Sequence, residues 1–228
     1  MFNFKHYFNI KEIIFLEISN NFLNYKYNSV KESTYLKYKY IIEKYLYPDL
    51  NFLTLKQLLE FDFYNLINKF KNLDNTTTNL IITVLKSILK FAERKYNVDF
   101  KIDLIKYSNT SHSELQIFTQ KEKQKLISYC YNDNSLKSIG ILMCLYTGIR
   151  IGELCALKWE NINLENDTIL INKTLQRVYE NNSTHILIDS PKSKSSIRKI
   201  PINKKLHNLL YAQKEINNYD FQAYFLTG

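Results

Sequence analysis

Arg150 stands between two glycines in Thr147-Gly148-Ile149-Arg150-Ile151-Gly152-Glu153-Leu154, in a chain with only four glycines among 228 residues. Gly140, Gly148 and Gly152 lie close together, so glycine is concentrated where this arginine is presented. A glycine costs conformational entropy, and that cost is justified where the backbone must take a positive φ or approach another group closely. The planar donor fork of an arginine held at such a place suits a phosphate or a carboxylate. The plainer alternative is a pairing with Glu153 one turn on, since surface pairs of that kind signify little. Apolar neighbours on both sides predict that Arg150 is partly buried, and a buried guanidinium must be paired or hold an anion.

A second group of candidate residues is Ser190-Pro191-Lys192-Ser193-Lys194-Ser195-Ser196-Ile197-Arg198-Lys199. From Ser190 to Lys214 there are seven Lys or Arg and no Asp or Glu, a surface of one sign. A solvated hairpin tip would look the same. Lysines on a β-turn can also reach a backbone phosphate, and one could protonate a departing oxygen.

The whole chain shares this bias. Its formal charge is +9 and the excess is dispersed, which points to a polyanionic partner and above all nucleic acid. A hydrophobic fraction of 45% suffices for a real core and excludes a disordered tail. Cys130, Cys144 and Cys155 are odd in number and form no C-x-x-C pair, so neither a disulfide framework nor a zinc site is expected. No apolar run is long enough to span a bilayer and the N-terminus lacks the order of a signal peptide, so a cytoplasmic location is expected.

The elements that must position these residues are legible from their caps. Ser29-Val30-Lys31-Glu32, Thr54-Leu55-Lys56-Gln57 and Thr119-Gln120-Lys121-Glu122 fit the S/T-x-x-E/Q capping box and predict three helix starts. Leu80, Val84 and Ile88 form one helical line and Ile81, Leu85, Leu89 and Ala92 its neighbour, while Lys86, Lys90 and Arg94 take other faces. Helices are predicted over about 10–28, 30–46, 55–71 and 77–96, with Pro48 and Asp49 breaking the chain after the second. The polar run from Tyr107 to Ser113 reads as a linker. Beyond it the pattern predicts a helix from near Thr119, a buried one over Leu136 to Tyr146 and a third following Arg150. Strands follow at 168–171, 185–188 and 197–202. The fold class expected is mainly α with a small antiparallel β-sheet.

The Gly-x-Arg-x-x-Glu-Leu element, followed by Ala156-Leu157-Lys158-Trp159 and later by Pro191 to Ser196 with Arg198, Ile200 and Pro201, resembles the tyrosine recombinase (phage integrase) family. It looks closest to integrases of phages and conjugative transposons. The resemblance implies a helical core-binding (SAM-like) DNA-binding domain over 1–107, a linker over 108–118 and the first part of a catalytic domain over 119–228. It implies that Arg150 holds a scissile phosphate and stabilises its transition-state charge. Lys192 matches the general acid, with Lys194 as the alternative. Lys194, Arg198 and Lys199 are implied as DNA contacts, and Glu153, Gly148 and Gly152 as structural support. The implied partners are duplex DNA and other recombinase protomers, with no membrane. A tyrosine nucleophile conserves the energy of the broken bond in a 3′-phosphotyrosyl link, so no metal or other cofactor is implied.

The sequence also departs from that pattern. The family needs a His-x-x-Arg pair and a tyrosine nucleophile after the hairpin, and none of His6, His112, His185 or His207 has arginine three residues later. Tyr211, Tyr219 and Tyr224 come too early and read as packing or surface residues. The expectation is an N-terminal portion of a recombinase, able to bind DNA and unable to cleave it, with apolar surface left exposed in the second half. Two other readings stand beside it: a non-catalytic DNA-binding protein that occupies recombination sites or inhibits a full-length recombinase, and a basic RNA-binding helical protein.

Overall fold

Caps and apolar spacing account for most of the helices in the computed structural model, which describes residues 12–107, 116–180, 183–191, 196–217 and 223–226. The first half contains α1 (Phe15–Tyr27), α2 (Glu32–Ile41), α3 (Tyr47–Leu50), α4 (Leu55–Leu59), α5 (Phe63–Asn68) and α6 (Asn75–Tyr96). The second holds α7 (Gln120–Asp133), α8 (Leu136–Thr147) and α9 (Ile151–Cys155), then β1 (Ile162–Asn163), β2 (Thr168–Ile171), β3 (Thr174–Glu180), β4 (Ser183–Asp189), β5 (Arg198–Pro201) and α10 (Lys204–Asn217). The chain divides into two compact units, residues 1–113 with 178–184, and 114–177 with 185–228. The residues between 107 and 116, where most of the linker was expected, lie outside those described.

In the first unit the two lines of α6 face inward: Ile81, Val84, Leu85, Ile88, Leu89 and Ala92 are buried against Phe15, Ile18 and Phe22 of α1 and Ile42 and Leu46. Thr54 opens α4 with both halves of a capping box, its Oγ1 accepting the Gln57 N–H and the Gln57 carboxamide accepting the Thr54 N–H.

Three expectations for this half fail on physical grounds. Ser29 opens no helix. Its hydroxyl donates instead to the carbonyls of Tyr25 and Lys26 and closes α1, while α2 starts from Lys31 without a side-chain cap. Pro48 does not break the chain: α2 runs through a π-helical turn, Ile42–Leu46, into α3. There the Tyr47 N–H reaches back to Ile42, a widened turn just ahead of the N–H that proline lacks. The helix expected over 55–71 is two helices, because the Asp62 carboxylate accepts the N–H groups of Tyr64 and Asn65 and starts α5 afresh.

In the second unit Thr119 and Glu122 form the expected box at the start of α7. One sheet was expected and there are two. β1, β2 and β5 make an antiparallel sheet in which Ile169 faces both Ile162 and Ile200, and β3, a strand the sequence reading missed, pairs with β4. Ile169, Ile171 and Ile200 close over Ile139 and Met143 of α8, Leu206 and Leu210 of α10, Trp159 and Phe225. Among the described residues no helix is long and apolar enough to cross a membrane.

Candidate functional site around Arg150

The turn that carries Arg150 is built by two glycines with different tasks. Gly148 ends α8 in the left-handed region at φ +68°, donating its N–H to Cys144, and an added Cβ would meet nothing within 4 Å there. Its requirement is conformational. Gly152 needs room instead: a Cβ would lie 2.8 Å from the Leu175 carbonyl oxygen and 2.8 Å from Thr174 Oγ1, so β3 crosses directly over α9. Between them Ile149 turns inward and is buried, and Arg150 takes extended backbone before the first turn of α9.

Arg150 is not partly buried as its neighbours suggested. Its side chain is 74% exposed, and the buried charge is Glu153, at 5%. Extended backbone directs the arginine side chain out of the turn, while the helical position of Glu153 points its carboxylate back at the Arg150 amide. That amide donates to Glu153 Oε2 at 3.0 Å, and Arg150 Nη1 donates to Oε1 at 3.0 Å.

The same carboxylate takes two more bonds from β5. Arg198 Nη1 donates to Glu153 Oε1 at 3.0 Å and Nη2 to Oε2 at 2.8 Å, and Nη1 also reaches the Ser196 carbonyl. The Arg198 fork, assisted by the Arg150 amide and guanidinium, overcomes the burial that opposes ionisation and holds the Glu153 carboxyl at about 2. Glu153 in turn raises the pKa of Arg198. Two guanidinium groups therefore share one carboxylate, and the surplus positive charge sits on the exposed member, Arg150.

Of the other candidates, Lys199 is exposed on β5 and points away from its neighbour Arg198, as strand alternation requires. Lys192 and Lys194 lie outside the described residues. His207 pairs with Asp167 at 2.6 Å and stacks on Tyr211, and Tyr224 forms a β-bridge to Lys158. Tyr219, His6 and His112 are also outside the described residues. The pairing of Arg198 with Glu153 escaped the sequence reading because no local spacing links residues so far apart in sequence; the one available sign was an acid in the apolar setting of Leu154 and Ile149.

A family model described as "Phage integrase family" matches residues 116–225, and one described as "Phage integrase, N-terminal SAM-like domain" matches 14–71. The chain belongs to the phage integrase family of tyrosine recombinases. This phage integrase family member is 27% identical over 191 residues to the ICEBs1 integrase of Bacillus subtilis (strain 168), an alignment covering 83% of this chain and 50% of that protein. It thus spans about half the length of that relative. Its fold is shared with the Tn1549 transposon integrase solved in complex with transposon right end DNA, at a TM-score of 0.65 and 22% identity over 94% of this chain and 71% of that one. A lambda integrase tetramer bound to a Holliday junction gives a TM-score of 0.59 at 14% identity, covering 95% of this chain and 62% of that one.

Proposed function

We propose that this chain binds duplex DNA at recombination sites and grips a backbone phosphate with Arg150, as part of a site-specific recombinase. The observation that carries the reading is the charge arrangement at the turn: a buried carboxylate already satisfied by Arg198, with an arginine beside it whose guanidinium is open to solvent. Of the five N–H groups of that guanidinium, one bonds Glu153, which leaves donors for the oxygens of a phosphate. Transition-state charge on those oxygens would be stabilised by donors that need no reorganisation.

In this proposal residues 1–107 form the helical domain that clamps DNA, 108–118 join it to the next, and 119–228 are the first part of a catalytic domain. Lys192, or Lys194 in its place, protonates the leaving 5′ oxygen, and Lys199 contacts the backbone. A complete enzyme cuts and rejoins strands through a 3′-phosphotyrosyl link and works with further protomers on DNA. Support comes from the family membership and from the net charge of +9. The same charged surface would serve a second reading, a DNA-binding protein that occupies recombination sites or inhibits a full-length recombinase.

Footprinting on the DNA that flanks the gene of this chain tests the shared part. A protected inverted repeat is the expected result, and a preference for RNA over duplex DNA would refute it. Suicide DNA substrates then test cleavage. The 228-residue chain is expected to give no covalent adduct, and an adduct would overturn the view that it lacks a nucleophile.

A further inference from the structure

Three charged groups meet at the turn before α9, and their bonding is unequal. Arg198 commits both terminal nitrogens to the two oxygens of Glu153, whereas Arg150 commits a single terminal nitrogen, to an oxygen it shares with Arg198. The exposure is unequal in the same sense, 31% for Arg198 against 74% for Arg150. A carboxylate as buried as Glu153 has to be neutralised from within the protein, and a bidentate guanidinium is the strongest way to do it. Whichever arginine supplies that fork is unavailable to an external anion.

We propose that Arg198 is a positioning residue that acts through Glu153: by occupying the carboxylate bidentately from β5, it prevents Glu153 from capturing the Arg150 fork and so keeps Arg150 available to a DNA phosphate. The inference rests on the phosphate-gripping role of Arg150 given above. It assigns Arg198 no contact with DNA, although its nearness in sequence to Lys192 and Lys194 would suggest one. Without Arg198, Arg150 is the cation that remains bonded to the buried carboxylate among the described residues. Arg150 would then swing from its single bond to a bidentate pair with Glu153, and the turn would present a neutral pair where it now presents a positive charge.

The arrangement also explains why an arginine is needed at position 198. A lysine would keep the charge as a single point and could not bridge both oxygens, so one oxygen would be left to draw in Arg150. Charge alone therefore predicts that Arg198→Lys behaves as the parent protein, and the fork predicts that it does not.

The test uses the full chain and a short fluorescein-labelled duplex carrying its footprinted site, with affinity measured by anisotropy over a range of salt concentrations. Arg150→Ala should weaken binding about tenfold and lower the salt slope by about one, as expected for one lost phosphate contact. Arg198→Ala should reproduce both changes, Arg198→Lys should reproduce most of the loss, and the Arg150→Ala/Arg198→Ala double variant should bind no worse than Arg150→Ala. Replacing the buried acid should restore binding, so Glu153→Gln/Arg198→Ala is expected to regain the parent affinity. That double variant buries no unpaired charge and supplies the comparison should Arg198→Ala fail to fold. Lys125→Ala, which removes an exposed lysine of α7 outside the site, controls for the simple loss of a charge.

Additive losses in the Arg150→Ala/Arg198→Ala variant would overturn the inference, because they would mean that Arg198 touches DNA itself. Parent-like binding by Arg198→Lys, or no recovery in Glu153→Gln/Arg198→Ala, would overturn it as well. If Arg150→Ala binds as the parent does, the phosphate-gripping reading of Arg150 fails first and this inference falls with it.

Discussion

Arg198 on β5 sets its two terminal nitrogens against the two carboxylate oxygens of Glu153 on α9, at 3.0 and 2.8 Å. The bond fixes β5 to the helix that follows Arg150, so Arg198 and the turn that carries Arg150 are held together.

The Glu153 pKa makes that tie visible in acid. It falls from 4.5 to about 2 on folding, chiefly through Arg198. A depressed carboxyl stabilises the fold fully above its unfolded pKa and ceases to do so as pH falls through the folded value, so the window runs from about pH 4.5 down to 2. The shift corresponds to about 3 kcal/mol. Glu122 and Asp133 are also lowered by their serine and threonine partners, so the quantity to measure is the difference between the parent and Glu153→Gln. Denaturant midpoints should separate widely at pH 6 and converge towards pH 2. Parallel curves across that window would refute the role given to the pair.

Gly148 and Gly152 should respond differently to the same substitution. Gly148→Ala is expected to cost about 1 kcal/mol for a positive φ in open space, and asparagine should cost less than alanine there. Gly152→Ala forces a methyl group into the Leu175 carbonyl, and overpacking against backbone costs about 1–3 kcal/mol. Urea unfolding of both variants checks the ranking, and Gly152→Asn should be worse than Gly152→Ala while Gly148→Asn should be better than Gly148→Ala.

Thr54 and Ser29 offer a matched pair, since both fit the same four-residue pattern. Thr54→Ala removes a hydroxyl that accepts the Gln57 N–H and should cost about 1 kcal/mol. Ser29→Ala removes only donations to the last carbonyls of α1, which water can replace on an exposed turn, and should cost a few tenths of a kcal/mol. Equal losses in thermal melts would contradict the observed caps.

These cases show what could be read from the sequence. Capping boxes and the two lines of α6 are local, because a residue and its partner are three or four positions apart, and the sequence displays them directly. The arginine between glycines was visible for the same reason. Ser29 misled because an exposed hydroxyl serves the helix behind it as readily as the one ahead. Burial of Arg150 was misjudged because apolar neighbours bury one another, here Ile149, without burying what lies between them. The Arg198 fork was invisible, because only the pairing of β5 with β2 brings it to α9.

Phe225 provides the last test, of how far the second unit's core extends. Its ring is fully buried, 5.2 Å from that of Trp159, and its N–H donates to the Leu157 carbonyl at 2.8 Å. The Trp159 N–H returns a bond to Ala223, so residues 223–226 are stitched by backbone to the segment that follows α9. Phe225→Ala should therefore cost about 3–5 kcal/mol, with Phe225→Leu costing less because more of the volume is kept. Trp159 is the chain's single tryptophan, so the tryptophan emission reports on its surroundings, Phe225 among them. A red shift and an earlier melt are expected in the alanine variant. A parent-like melt with unchanged emission would show that this segment contributes nothing to the core, and would detach it from the element that presents Arg150.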